Sequence, residues 1–274
     1  MQLAQKFRTL NEQGQFLLVN AWDAGSARVF AAAGFVALGT TSGGIAYSRG
    51  FKDGEQMDPQ IMFSELAAIC RAVDLPVTAD IEAGYGNLPE SVAATITAVI
   101  AAGAVGVNLE DRQHGAAGLF DISAQAARIS AARTAAGDLL WMNARTDTYL
   151  LGLGKDEEER LMITVERANA YLAAGADMVF VPGLVDLPSL TRLCQLVNGP
   201  VSVMAMPGAP SAAALFATGV RRVSLGVCPM LALMGTLRDI AFEAREAGTW
   251  QLMGERFYGF AEAESLGRSA AGRD

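Results

Sequence analysis

Ala-Ala-Gly recurs at residues 32–34, 101–103, 135–137 and 173–175, and Ala-Thr-Gly stands at 217–219. Each triplet precedes a short apolar run, the pattern of a helix that ends on a glycine and turns into a buried strand. Counting these runs together with those behind Asp74-Leu75-Pro76 and Asn198-Gly199-Pro200, and the first run near the start of the chain, gives eight predicted strands: 16–22, 35–41, 77–82, 105–110, 140–146, 178–182, 201–206 and 222–226. Between them lie segments of helical period, such as Met62, Leu66, Ile69, Cys70 and Val73. Asp58-Pro59, Pro89-Glu90 and Asp186-Leu187-Pro188 mark helix starts. Strict alternation makes a parallel sheet, and eight units favour a closed (β/α)8 barrel, a TIM barrel of the α/β class, over an open doubly wound sheet.

The 274 residues suit one such barrel, and no shift in composition marks a second domain. Residues 247–274, with Trp250, Phe257, Tyr258 and Phe260, exceed what the eighth unit needs and are expected to pack against a neighbouring subunit. A formal charge of −8 leaves no broad phosphate-neutralising surface, so nucleic acid is not an expected partner. The longest uncharged stretches are broken at Gly34, Gly103 and Gly199-Pro200, which argues for buried helices and strands rather than membrane spans. No signal-peptide segment opens the chain, and Cys70, Cys194 and Cys228 are widely spaced, as in a reduced cytoplasmic protein.

In such a barrel, chemistry belongs at the carboxyl ends of the strands. There the chain reads Asp80-Ile81-Glu82, Asn108-Leu109-Glu110-Asp111 and Asn143-Ala144-Arg145-Thr146-Asp147. Strand alternation would aim Asp80 with Glu82, Asn108 with Glu110, and Asn143 with Arg145 to common faces. Two carboxylates about 5 Å apart repel by roughly 3 kcal/mol at an effective dielectric of about 20, so the cluster needs a neutralising partner. Mg²⁺, or equally Mn²⁺, fits such a setting, with Asp80 as direct ligand and Glu82 and Glu110 acting mostly through water. Arg145 offers a fork for a substrate carboxylate. Ser42, Gly43 and Gly44 offer backbone amides to an anion, and Trp22 is equally a candidate wall of the site or a core residue. His114, the chain's single histidine, sits on a glycine-rich segment and is a candidate acid or base.

At these residues the sequence resembles the isocitrate lyase/phosphoenolpyruvate mutase superfamily. The likeness runs from Asn20-Ala21-Trp22-Asp23 to the last strand and is most specific at Ala79-Asp80-Ile81-Glu82-Ala83-Gly84-Tyr85-Gly86-Asn87, Asn108-Leu109-Glu110-Asp111 and Asn143-Ala144-Arg145-Thr146-Asp147. It implies a barrel whose C-terminal helix is swapped between subunits, in a homotetramer built as a dimer of dimers. It further implies Mg²⁺ on Asp80, with water-mediated help from Asp53, Glu82 and Glu110. A pyruvate-like unit would be held by the metal, Arg145 and the backbone around Ser42 to Gly44. Members make or break carbon-carbon or phosphorus-carbon bonds beside a metal-bound enolpyruvate-type intermediate.

One segment departs from that pattern. The lyases carry a cysteine motif soon after the fourth strand, and the phosphorus-carbon enzymes carry lysine and asparagine there. This chain reads Asp111-Arg112-Gln113-His114-Gly115-Ala116-Ala117-Gly118. The expected activity is therefore that of a Mg²⁺-dependent carbon-carbon lyase or decarboxylase on a small 2-oxo or 2-hydroxy (di)carboxylic acid, with Arg145, Glu110 and His114 as catalytic candidates. Cleavage or rearrangement of a phosphonopyruvate-type substrate, and a 2-oxo-acid-binding barrel with little turnover, are the alternatives.

Overall fold

The computed structural model describes residues 2–267. Its eight strands are β1 (Phe16–Ala21), β2 (Leu38–Thr40), β3 (Val77–Asp80), β4 (Gly106–Glu110), β5 (Trp141–Arg145), β6 (Met178–Phe180), β7 (Val201–Met204) and β8 (Arg222–Ser224). All are parallel, each pairs with the next, and β8 returns to β1 to close the barrel. Every predicted strand is present, shortened at one or both ends. Four of the five triplet glycines take positive φ at the helix ends, 87° at Gly34, 98° at Gly103, 113° at Gly175 and 103° at Gly219, whereas Gly137 after α6 combines a φ of 51° with a ψ of −132°.

The helices in chain order are α1 (Gln2–Gln13), α2 (Ala24–Ala32), α3 (Ser42–Ser48), α4 (Pro59–Ala72), α5 (Pro89–Ala102), α6 (Ile122–Ala136), α7 (Glu157–Ala173), α8 (Leu187–Leu196), α9 (Ala212–Ala217), α10 (Cys228–Glu246), α11 (Gln251–Glu255) and α12 (Phe260–Leu266). The predicted starts hold: the Asp58 side chain caps α4 through the Gln60 amide, and Asp186 caps α8 through that of Ser189. None of these helices is long and apolar enough to cross a membrane.

α1 closes the amino-terminal end of the barrel by inserting Phe7, fully buried beside Phe16, Leu18, Trp141 and Met178. Gly106 makes room for it, since a Cβ there would lie 2.7 Å from the Phe7 ring. Beside Phe7 the buried Arg222 donates to Asn11 Oδ1 at 3.1 Å, and the carboxylate cluster gathers at the other mouth. Register then sets the neighbours: Asp80 pairs with Asn108, Asn108 with Asn143, and Glu110 with Arg145.

Beyond the barrel, α10 to α12 leave large apolar side chains in solvent, including Leu237, Phe242, Trp250, Phe257 and Phe260. α12 folds back toward α2, where the Arg28 guanidinium donates to the Leu266 carbonyl at 2.6 Å. Part of the predicted extension, residues 268–274, lies outside the described residues.

Candidate active site

Two adjoining cavities open at the carboxyl ends of the strands and share Ser42, Asp53, Arg112 and Arg145 in their walls. One, of about 350 Å³, lies beneath the segment after β4 and is lined by Glu82, Glu110 and His114. The other, of about 220 Å³, reaches Asp80 and an apolar wall that includes Leu150, Phe180, Pro182 and Met204.

Asp80 ends β3 as a part-buried residue. Its Oδ2 accepts from the Ser42 amide at 3.2 Å and the Ser42 hydroxyl at 3.0 Å, while Oδ1 is buried with no hydrogen-bond partner. A buried carboxylate oxygen without a partner is costly unless a cation or proton meets it, and Asp80 lines the second cavity. Burial holds the Asp80 pKa above its ordinary value, Arg145 opposes that, and the charge of Asp53 adds to it. Among the described residues no group of three or more His, Cys, Asp or Glu side chains is arranged to hold a metal ion by itself. That donor set fits Mg²⁺, which takes one or two carboxylates directly and keeps several waters, better than it fits a closed protein cage.

Glu82 lies beyond the end of β3 at a φ of 51°, so strand alternation with Asp80 is not what places it. Instead the Glu55 amide donates to Oε2 at 2.6 Å and the Tyr85 hydroxyl to Oε1 at 3.3 Å. The Glu55 carboxylate in turn accepts from the Tyr85 amide at 2.7 Å, tying the two loops together. Burial, followed by the charges of Asp53 and Asp80, pushes the Glu82 pKa up to about 8.

Glu110 is 3% exposed and bridges two cations. Arg145 Nη1 lies 2.9 Å from Oε2, and His114 Nε2 lies 2.7 Å from Oε1. Burial raises the Glu110 pKa, and Arg145 and His114 pull it back. Burial alone would lower His114, but the hydrogen bond and charge of Glu110 carry it above its ordinary value. Both shifts favour keeping a proton on the pair. We place it on His114, because Arg145 favours the ionised form of Glu110.

The other two Arg145 donors are committed as well. Nε reaches Asp147 Oδ1 at 2.6 Å and Nη2 reaches Oδ2 at 3.0 Å, and Asp147 has no exposed surface. Asp147 thus holds the Arg145 fork from behind the cavity. Its own amide donates to Asp111 Oδ1, and Asp111 also accepts from Thr146, Tyr171 and Arg167. Asp111 is a buried bracket behind the site rather than a wall of it.

Three predicted site residues take other positions. Trp22 is 9% exposed and packs edge-on to Phe30 in the core, away from both cavities, because its strand ends at Ala21. Gly44 lies inside α3 with its amide on the Thr41 hydroxyl, leaving Ser42 and Gly43 as the part of that turn that faces the cavity. Asn143 is buried behind the cavity, donating to Asn108 Oδ1 at 2.6 Å. Asp53 does line both cavities, and Gly43 keeps the room it needs: a Cβ there would sit 3.1 Å from Asp53 Oδ2.

The Phosphoenolpyruvate phosphomutase family model matches residues 7–245. The chain belongs to that family, within the isocitrate lyase/phosphoenolpyruvate mutase superfamily. A solved structure from Burkholderia cenocepacia J2315 is 46% identical, superposes with a TM-score of 0.84, and covers 88% of this chain and 99% of its own. An uncharacterized protein of Mycobacterium tuberculosis H37Rv is 38% identical over 224 residues, covering 81% of this chain and 82% of that one. An oxaloacetate decarboxylase of Chromohalobacter salexigens is 29% identical over 262 residues, covering 91% and 88%. As a member of this family of lyases and mutases the chain is an enzyme.

Sequence reasoning missed Glu55 and a buried arginine on α6. Arg128 is 1% exposed, donates Nη1 to the Gly86 carbonyl at 2.6 Å and Nη2 to the Ala83 carbonyl, and lies 4.1 Å from the Phe120 ring. Its Nε binds Gln125, which donates to the Glu110 carbonyl at 3.1 Å. Neither is marked by a spacing in the sequence, whereas Asp147 stands in the motif that follows Arg145.

Proposed function

We propose that this enzyme is a Mg²⁺-dependent carbon-carbon lyase or decarboxylase acting on a small 2-oxo or 2-hydroxy acid with one or two carboxylates. The observation that carries this is the partnerless Asp80 Oδ1, buried on a cavity that it shares with Arg145. Asp80 would hold the ion directly, with Asp53, Glu82 and Glu110 binding its waters. When bound, Mg²⁺ supplies positive charge beside a substrate oxygen as that oxygen gains negative charge.

The chain's own groups account for the rest. Ser42 fixes the Asp80 carboxylate by two hydrogen bonds, leaving one oxygen free for the cavity. The guanidinium of Arg145, kept charged by Glu110 and Asp147, faces the same space and stabilises negative charge that develops on the substrate. In a decarboxylation the bond to the departing carboxylate breaks, its electron pair passes into an enolate, and CO₂ leaves. A proton must then be returned to carbon. His114 Nε2, held at 2.7 Å from Glu110, is the group placed to deliver it. The family's expected cysteine or lysine in this segment is thereby replaced by a histidine and carboxylate pair.

We further propose that residues 247–274 serve as an oligomerisation extension in a homotetramer assembled as a dimer of dimers, with the C-terminal helix exchanged. The exposed Trp250, Phe257 and Phe260 support this, since such groups gain by burial against another copy. A cytoplasmic location accords with this reading.

Pyruvate release from oxaloacetate and from malate-type acids, with Mg²⁺ and with EDTA, tests the activity. Metal-dependent release supports it, phosphate release from phosphonopyruvate alone would point to phosphorus-carbon chemistry, and binding without turnover would leave a binding barrel.

A further inference from the structure

We infer that Arg112 selects substrates by gripping a second carboxylate at the end distant from Asp80. This rests on the 2-oxo or 2-hydroxy acid reading given above. Three cationic side chains border the cavities, and two of them are already held against buried carboxylates. Arg145 spends Nε and Nη2 on Asp147 and Nη1 on Glu110, and His114 Nε2 is held by Glu110. Arg112 makes no side-chain hydrogen bond among the described residues. Its nearest charge is Asp147 Oδ2 at 3.9 Å, an oxygen already accepting from Arg145 at 3.0 Å. The Arg112 side chain is 43% exposed and lines both cavities.

The surroundings restrict what that free guanidinium can meet. The cavity beneath the post-β4 segment is walled by Asp53, Glu82 and Glu110, which repel an anionic group unless a cation intervenes. The other cavity has Asp80 and Arg145 with an apolar wall of Leu150, Phe180, Pro182 and Met204. A substrate anchored at its 2-oxo end by Asp80 and Arg145 thus has Arg112 as the one uncommitted cation for a terminal carboxylate. A terminal methyl group would offer that guanidinium nothing and would screen it from water.

The root of the side chain is also fixed. Arg112 forms an isolated antiparallel bridge with Leu119, the Gln113 amide donates to the Gly118 carbonyl at 3.1 Å, and the Phe120 amide donates to that of Asp111 at 2.8 Å. The segment is a small closed loop that holds Arg112 at its base rather than at its tip.

The test uses the full-length protein with Mg²⁺ and matched probes: oxaloacetate against 2-oxobutyrate, 2-oxoglutarate against 2-oxopentanoate, and oxalate as the anchor. Dissociation constants come from ligand-dependent thermal stabilisation of wild type, Arg112→Met and Arg112→Lys. Wild type is expected to prefer the dicarboxylate of at least one pair by about tenfold, as one charge-assisted pair would give. Arg112→Met should reduce that ratio to within about twofold while oxalate affinity changes less than about threefold, and Arg112→Lys should retain part of the preference. Equal binding of both members by wild type, an unchanged ratio in Arg112→Met, or loss of oxalate binding in that variant would overturn the inference and leave the 2-oxo acid reading standing. If neither oxalate nor any 2-oxo acid binds wild type, that reading fails too, and the oxalate arm shows it separately.

Discussion

Arg145 and Asp147 face each other in a two-point ion pair, with Nε to Oδ1 at 2.6 Å and Nη2 to Oδ2 at 3.0 Å, in a setting where Asp147 is wholly buried. The fork of Arg145 is thereby aimed by the protein before any ligand arrives, and only the Nη1 edge, now on Glu110, remains to be redirected. Breaking one side of a buried pair leaves an uncompensated charge, so Asp147→Asn should cost about 3 kcal/mol in urea unfolding. It should also weaken oxalate binding, because the guanidinium loses its bearing. An unchanged unfolding midpoint would show that the pair is dispensable.

Glu82 makes stability depend on pH in a stated direction. Its pKa stands at about 8 in the folded protein against the ordinary 4.5, so the native state binds that proton more tightly than the unfolded chain does. The contribution is complete below the unfolded value and is lost as pH rises through the folded one. Metal-free protein should accordingly lose stability between about pH 5 and 9, by on the order of a few kcal/mol. Thermal melts in EDTA across that range check this, and Glu82→Gln should flatten the curve.

The strands and the polar mouth were readable because the determinants are local. A glycine behind each Ala-Ala or Ala-Thr pair can turn left-handed whatever its neighbours, and the apolar run that follows has only the core to enter. The pairing of Glu110 with Arg145 was likewise implicit in two adjacent strand ends. Of the two readings open for Trp22, site wall or core, the ring takes the core one, packed edge-on to Phe30. Glu82 reached the site by a left-handed turn beyond its strand rather than by alternation, and Arg128 comes from α6, 18 residues after Glu110, where helical period shows only a buried face. Contacts that cross elements in this way leave no spacing to read.

Arg128 positions the loop after β3 from behind. Its guanidinium satisfies the Ala83 and Gly86 carbonyls and, through Gln125, reaches the Glu110 backbone. Arg128→Met would leave two carbonyls without these donors and should cost about 2–4 kcal/mol. Arg128→Lys should recover little of this, since an ammonium lacks the fork that spans both acceptors. Full stability and activity in Arg128→Met would contradict the assignment.

Gly54, at a φ of 96°, supports His114 from the opposite loop: a Cβ built there would lie 3.1 Å from Nδ1. Gly54→Val should strain the backbone by about 1–2 kcal/mol and displace the imidazole from Glu110. Turnover should fall more than tenfold while oxalate affinity changes little, as expected for a residue acting on proton delivery rather than binding. An equal loss in both would place the role of Gly54 elsewhere.

The exposed apolar groups of α10 to α12 predict self-association. Sedimentation of wild type should show a species larger than one chain, and Leu237→Asp with Phe242→Asp should shift it toward the monomer, since charges in a buried interface are costly. A monomeric wild type would refute the proposed extension.

The most direct test of the metal-assisted mechanism is calorimetric titration of oxalate into wild type and Asp80→Ala, each in Mg²⁺ and in EDTA. We predict binding by wild type only with Mg²⁺ and none by Asp80→Ala in either condition. Oxalate binding that survives EDTA, or that Asp80→Ala retains, would contradict a metal centre on Asp80 and return the acidic cluster to a purely structural role.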